Sequence, residues 1–376
     1  MKRGNIMMKF FAALGLAAAL LPSAWSQDIV IGQSVPLSGT NADIGRDMRD
    51  GALAVFARAN ASNQLGGRKI KLVTLDNANN RQRAAENSQA LISQHGAHLL
   101  FGYNSATNSV DALPMAAQNS MLFFAPFSGS PSLRSHPNVF TVRASYKDEA
   151  AKIMENKRSV GSTKATVLYY DDEVGQGNYE AVASVFVEAG LGKPKGVAIK
   201  RGVPLTEGAV TALTQDQPHY VLATTQFNVV GDYLRIASEK AITVPVAALS
   251  FVNPDELVES IGGLARGTVV SQVMPSPRAT NQVAVPVVKE CAEALAALNG
   301  AKLNYTNLES CIAGKALLAI LKKAGTNPTR DSILKAAPTV GRIDLHGFLL
   351  SYGPGQQNGS TWVDLTILSR GNRFVQ

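Results

Sequence analysis

Hydroxyl and amide side chains collected at the ends of apolar strands are the chemical signature of this chain. The stretch Met121–Ala125 breaks at Pro126 into Phe127-Ser128-Gly129-Ser130. One unit earlier, His98–Gly102 runs into Tyr103-Asn104-Ser105-Ala106-Thr107, which reads as the opening of a helix. In an open α/β sheet, ligands bind in the crevice beyond the carboxyl ends of the strands. Ser128 and Ser130 fall where hydroxyls and free backbone N–H groups would face such a crevice. Two adjacent strand ends of this kind suggest a small-molecule clamp. Phe127, Phe227, Phe251, Tyr103 and Tyr146 also fall at or just after expected strand ends. Singly each reads as core, but jointly they favour an aromatic-lined cleft.

Patterns that would carry turnover are missing. There is no GxSxG elbow, HExxH, GxxxxGK[ST] or strand-to-helix GxGxxG. No histidine falls at an expected cleft position to serve as a base beside a nucleophile. His95 and His98 bracket Gly96 and read as a solvated helix terminus rather than a metal site. The acidic run Asp171-Asp172-Glu173 lacks the converging oxygens a cation needs. It fits charge placed at a helix N-terminus. Gly175-Gln176-Gly177 reads as a tight strand-to-helix turn that uses glycine torsions.

The elements that must position these groups alternate. Strands are expected at Ile29–Val35, Lys69–Leu75, His98–Gly102 and Met121–Ala125, with a short one at Val139–Val142. Helices between them fall at Asp43–Asn60, at Asn80–His95 and up to Gln118. The pattern restarts with helix Asp148–Arg158 and strand Lys164–Tyr170. Helix Gln176–Ala189, strand Val197–Lys200, helix Glu207–Gln215, strand His219–Thr224, helix Asn228–Lys240 and strand Val244–Leu249 follow. Such alternation implies α/β architecture: parallel sheets with helices on both faces, here as two doubly wound lobes. Helices Asn281–Leu298, Leu308–Ala324 and Arg330–Lys335 come next. Gly347–Ser351 and Thr361–Leu368 read as a terminal antiparallel pair.

A chain of 376 residues has length for two such domains. Its start reads as a secretory signal peptide over residues 1–26. Lys2, Arg3 and Lys9 precede the apolar run Phe10–Leu21, and Ala24 and Ser26 offer small residues before a cut at Gln27. The run is too short to span a bilayer, so a soluble exported protein is expected. Cleavage would lower the formal charge from +8 to +5. No basic cluster with interleaved aromatics marks a nucleic-acid surface. Cys291 and Cys311 would meet an oxidising compartment. A bridge between neighbouring helices and a pair of buried thiols both stay open.

Read in order, these segments resemble the type I periplasmic solute-binding proteins of ABC transporters, in the branch of the branched-chain amino acid receptors. The similar segments are the opening IVIGQSVPLSGTNADIGRDMRDGALAVFARANASNQLGGRKIKLVTLDN, then GYNSATN, FAPFSGS, FTVRAS, LYYDDEVGQG and ARGTVVSQVMPSP. The close, FLLSYGPGQQNGSTWVDLTIL, is similar to one subgroup of that branch. The resemblance implies two lobes joined by three crossovers that close on ligand by a hinge. It divides the chain into residues 27–144 plus 276–346 and residues 145–275 plus 347–376. Carried over, the cleft contacts are Ile44, Asn104, Ser105, Ala106, Thr107, Phe127, Ser128, Gly129, Tyr146, Val174, Gln226 and Ser250, with Phe251 beside them. It implies no cofactor, no metal, a monomer, and an inner-membrane ABC permease as partner.

Three positions depart from the amino-acid receptors that the chain resembles. Those receptors place a hydroxyl residue where Ala106 stands, a threonine where Gly129 stands, and an acid where Ser250 stands. The acid would pair with the ligand's ammonium, and burying a cation without a partner costs several kcal/mol. The expected ligand therefore has an apolar or aromatic body and no ammonium. A carboxylate would find Ser105, Thr107 and Ser128. Two other roles have the same sequence basis: a sensing module for a receptor kinase or chemoreceptor, and, less favoured, a secreted hydrolase.

Overall fold

The computed structural model describes residues 28–39, 41–278, 285–369 and 374–375. The expected signal peptide and the start of the helix expected at Asn281 lie outside the described residues. The first sheet is β1 (Ile29–Val35), β2 (Ile70–Asp76), β3 (Leu99–Phe101), β4 (Phe123–Phe124) and β5 (Val139–Phe140), in the order β2-β1-β3-β4-β5 and parallel throughout. The second contains β6 (Ala165–Tyr170), β7 (Lys195–Ile199), β8 (Tyr220–Ala223), β9 (Val246–Ala248) and β10 (Val269–Gln272). Its parallel part runs β7-β6-β8-β9-β10. Both sheets thus share one winding order, with a switch point beside the first strand of each, where ligand crevices form.

The central strands Leu99–Phe101 and Tyr220–Ala223 are fully buried. That explains their unbroken apolar runs, since both faces of a parallel sheet are covered. Helices start where side chains can cap them. Asn80 accepts the Arg83 N–H ahead of α2 (Arg81–Ser93), and Asp172 accepts the Gly175 N–H ahead of α6 (Glu173–Glu188). Ser145 and Asp148 form a capping box on α5 (Tyr146–Ser159). Asn60, at the end of α1 (Ala42–Ala61), bonds both the N–H and the C=O of Ile70, tying helix to strand.

The terminal antiparallel pair does not form. Leu349–Tyr352, β12, pairs with Gly341–Asp344, β11, while Asp364–Leu368, β13, adds antiparallel to β10 at the edge of the second sheet. Tyr352 packs against Phe124 and Phe140 and donates to the Thr141 carbonyl. Residues 349–352, assigned by resemblance to the second lobe, therefore sit on the first, and the last crossover follows them. Strands β10 and β11 were not expected. Each is four residues long, β10 between Gly267 and Pro275 and β11 from Gly341.

Smaller corrections have local causes. After Phe101 the chain turns through residues 105–111 before α3 (Ala112–Gln118) begins. Ser105 takes φ 62°, and its hydroxyl accepts the Asn108 N–H, a bond that competes with helix. His98 is no solvated terminus: it is half-buried, and its Nδ1 accepts the Val30 N–H. Burial lowers its pKa below the ordinary value. Gly175 lies inside α6 without unusual torsions. It is required because a Cβ there would come within 2.1 Å of the Tyr170 carbonyl oxygen. Cys291 and Cys311 are bridged. They join α10 (Pro286–Asn299) to α11 (Tyr305–Ala324) inside the first core.

Candidate ligand-binding cleft

The carboxyl ends of the two sheets face each other across a cavity of about 730 Å³, its open mouth included. From the first lobe come Ile44 and Met48 of α1, Asn104, Ser105 and Phe127. The second lobe contributes Gln226, Phe227, Ser250 and Phe251. A smaller compartment of about 260 Å³ shares Ser105 and Phe251 with it. Ala106, Thr107, Ser128, Tyr146 and Val174 line that compartment. Of the expected cleft residues only Gly129 lines neither. It lies behind Tyr146, so close that a Cβ would meet the ring at 2.5 Å and the Tyr146 nitrogen at 2.6 Å. Glycine at this position lets the tyrosine ring form the wall.

Of the five aromatics, Phe127, Phe227 and Phe251 reach the larger cavity and Tyr146 the smaller. Tyr103 does not. It is fully buried, shares a hydrogen bond with Ser88 and meets Phe123 edge-on at 4.9 Å. The serines are less free than their positions suggest. The buried Ser128 hydroxyl accepts the Ser130 N–H at 3.1 Å and lies 3.4 Å from the Tyr146 hydroxyl. Ser105 accepts the Asn108 N–H at 3.3 Å and keeps its own O–H for another partner.

The acids of the cleft are already engaged. Glu149 is wholly buried behind Ser250, which donates to it from N–H at 2.7 Å and from its hydroxyl at 3.0 Å, and Ser271 also donates. Burial pushes the Glu149 carboxyl up, while Arg143 and these donors pull it down. Glu309, in the wall of the larger cavity, spends both oxygens on Arg143 at 2.8 Å each. Burial works against the Arg143 charge, but Glu309 and Glu149 hold its pKa above the ordinary value. The guanidinium also lies 5.6 Å from the centre of the Phe127 ring.

Sequence reasoning passed over Arg143 and Glu309. Arg143 follows a strand with apolar neighbours, and Glu309 lies on a helix whose residues 306–314 are all buried. Buried charges of opposite sign are the signal such placements carry. Asp172 is the N-cap of α6 and binds Arg201, so the acidic run does serve a helix N-terminus. Among the described residues no group of His, Cys, Asp and Glu is placed to hold a metal ion. No helix among them is long and apolar enough to cross a membrane.

Two lobes of equal winding order that meet at their switch points define a binding protein of the two-lobed, hinged class. A family model described as periplasmic binding protein matches residues 28–367, and the chain belongs to that family, in its branched-chain amino acid receptor-like branch. It is 26% identical to a possible leucine/isoleucine/valine-binding protein from Rhodopirellula baltica, with a TM-score of 0.86 over 94% of this chain and 97% of that one. An amino acid binding protein of Pseudomonas aeruginosa is 23% identical over 70% of each chain. The solute binding protein of an ABC transporter from Rhodopseudomonas palustris, solved with 3,4-dihydroxybenzoic acid, shares the fold at 17% identity. Its TM-score is 0.77, over 93% of this chain and 95% of that one. These relatives are binding proteins, not enzymes.

Proposed function

We propose that this protein is the exported receptor of an ABC importer, taking a small apolar or aromatic carboxylate rather than a branched-chain amino acid. One observation carries the reading: among the described residues, the cleft walls offer no free carboxylate to an ammonium group. Glu309 is committed to Arg143, and Glu149 to Ser250 and Ser271. A leucine ammonium would displace one of these bonds or go unpaired, and either costs several kcal/mol. Three phenyl rings in the larger cavity favour an apolar or aromatic body. The Rhodopseudomonas relative, solved with an aromatic acid, lends the class support. The thirteen expected cleft positions are the proposed site, with Gly129 acting through Tyr146.

A thermal-shift screen tests the reading, with aromatic and aliphatic carboxylates set against amino acids of the same skeleton. At about 100 times its dissociation constant a ligand adds roughly 2.7 kcal/mol of stability. Carboxylates should raise the melting temperature and leucine, isoleucine and valine should not. Native mass spectrometry of gently purified protein should find an acid and no amino acid in the cleft.

A further inference from the structure

The smaller compartment carries a cation that nothing above has used. Arg201 follows β7, the neighbour of β6 at the second switch point. Its guanidinium carbon lies 3.8 Å from the centre of the Tyr170 ring. Its Nε donates to Asp172 at 2.8 Å, and the other oxygen of that carboxylate accepts the Gly175 N–H at 2.7 Å. Tyr170 is fixed in turn, its hydroxyl accepting the Gln226 N–H at 3.2 Å. The guanidinium is thus held by a ring and an anchored carboxylate. Among the described residues nothing hydrogen-bonds Nη1 or Nη2. A planar fork presented in this way matches the two oxygens of a carboxylate.

Asn178 of α6 lines the same compartment at 7% exposure, and its Oδ1 has no hydrogen-bond partner. A buried acceptor left unpaired is costly and calls for a donor. An ionised carboxylate has none to give. A second group on the same ligand, close to the acid, would supply that donor.

We propose that the smaller compartment is an oxyanion subsite, in which Arg201 holds a carboxylate and Asn178 selects a hydroxyl beside it. The apolar body then extends past Ser105 and Phe251 into the larger cavity. This assignment rests on the carboxylate-receptor reading above and adds the polar end of the ligand to it. Arg201 and Asn178 become determinants of specificity, and the favoured class is a hydroxy acid with an apolar or aromatic body.

The test is isothermal titration of the mature protein with 3-phenylpropanoate, 2-hydroxy-3-phenylpropanoate, benzoate and 2-hydroxybenzoate, and with the primary amide of each. Hydroxy acids should bind more tightly than their plain counterparts. Arg201→Gln should weaken the best acid at least tenfold and its amide less than threefold. Arg201→Lys, which keeps the charge and loses the fork, should fall between. Asn178→Leu should abolish the preference for the hydroxy acid while the plain acid stays within threefold. An ion pair with a structural role alone would change the unliganded melting temperature and leave the acid-to-amide ratio untouched. If Arg201→Gln binds the best acid as tightly as wild type, the subsite falls and the receptor reading stands. If wild type takes leucine and none of the acids, the carboxylate reading falls and takes the subsite with it. A wild type unmoved by every acid overturns both.

Discussion

Arg143 and Glu309 hold the larger cavity's wall together at the scale of single residues. Both are about 5% exposed, and two charges at that depth depend on each other. Glu309→Gln should destabilise the protein by about 3 kcal/mol or more, because it removes the counter-charge bonded to a buried guanidinium. Urea unfolding measures this. Replacing both members with apolar residues should cost less than removing one. Gly129 makes a second residue-scale case. Gly129→Thr would drive a side chain into the Tyr146 ring and its backbone nitrogen, and overpacking of this kind costs typically 1–3 kcal/mol. It should also narrow the smaller compartment, so acid binding should weaken beyond what the stability loss explains.

The links between elements carry much of the stability, and some of them respond to solvent conditions. Asp76 ends β2 and accepts from the Ser38 hydroxyl and from the N–H groups of Leu37 and Ala78. Burial pushes its carboxyl up, but these bonds and Arg83 win and hold it at about 2. Its unfolded value is near 3.9, so between the two the unfolded chain binds more protons. The contribution is therefore complete above about pH 4 and is lost as pH falls through 2. Asp76→Asn should cost about 1–2 kcal/mol at neutral pH and nothing near pH 2, which acid-unfolding curves at several urea concentrations would register. The Cys291–Cys311 bridge closes a loop of 20 residues between two helices of the first core. Reduction should remove about 3 kcal/mol in the chain-entropy picture, lowering the melting temperature while the cleft keeps its ligand class.

The long periodic elements were readable in the sequence because their patterns are local. The strand expected at Lys69–Leu75 from its alternation forms as Ile70–Asp76. Length did not decide which short strands were legible: β3, β4 and β5 have two or three residues and were expected, while β10, which pairs with β9 and the distant β13, and β11, which forms a hairpin with β12, were not. The same holds for the site. Strand-end serines and phenylalanines could be marked from position alone. The partners that use up their hydroxyls, and the pairing of Arg143 with a helix 166 residues away, come from tertiary contact. Tyr103 shows the limit, since a strand-end aromatic points to cleft or core according to a geometry that no spacing encodes.

At the scale of the whole molecule, the three crossovers between the sheets make the cleft a place that can open and shut. Two of them run side by side and are fastened together. Arg134 donates to the carbonyls of Arg143 and Ala144 in the first and to the side chain of Asn358 near the third. Arg134→Ala should free these strands of chain, widen the open-state ensemble and weaken every ligand by a common factor without changing their ranking. Small-angle scattering with and without ligand would show the larger unliganded dimensions.

The most direct measurement is paired calorimetry on the mature protein: leucine against 4-methylpentanoate, and phenylalanine against 3-phenylpropanoate. Each pair shares a skeleton and a carboxylate and differs by the ammonium. With Glu149 and Glu309 both committed, the acid lacking the ammonium should bind at least tenfold more tightly in at least one pair, a difference of about 1.4 kcal/mol. Micromolar leucine, about −8 kcal/mol, with no response to either deaminated acid would contradict the account.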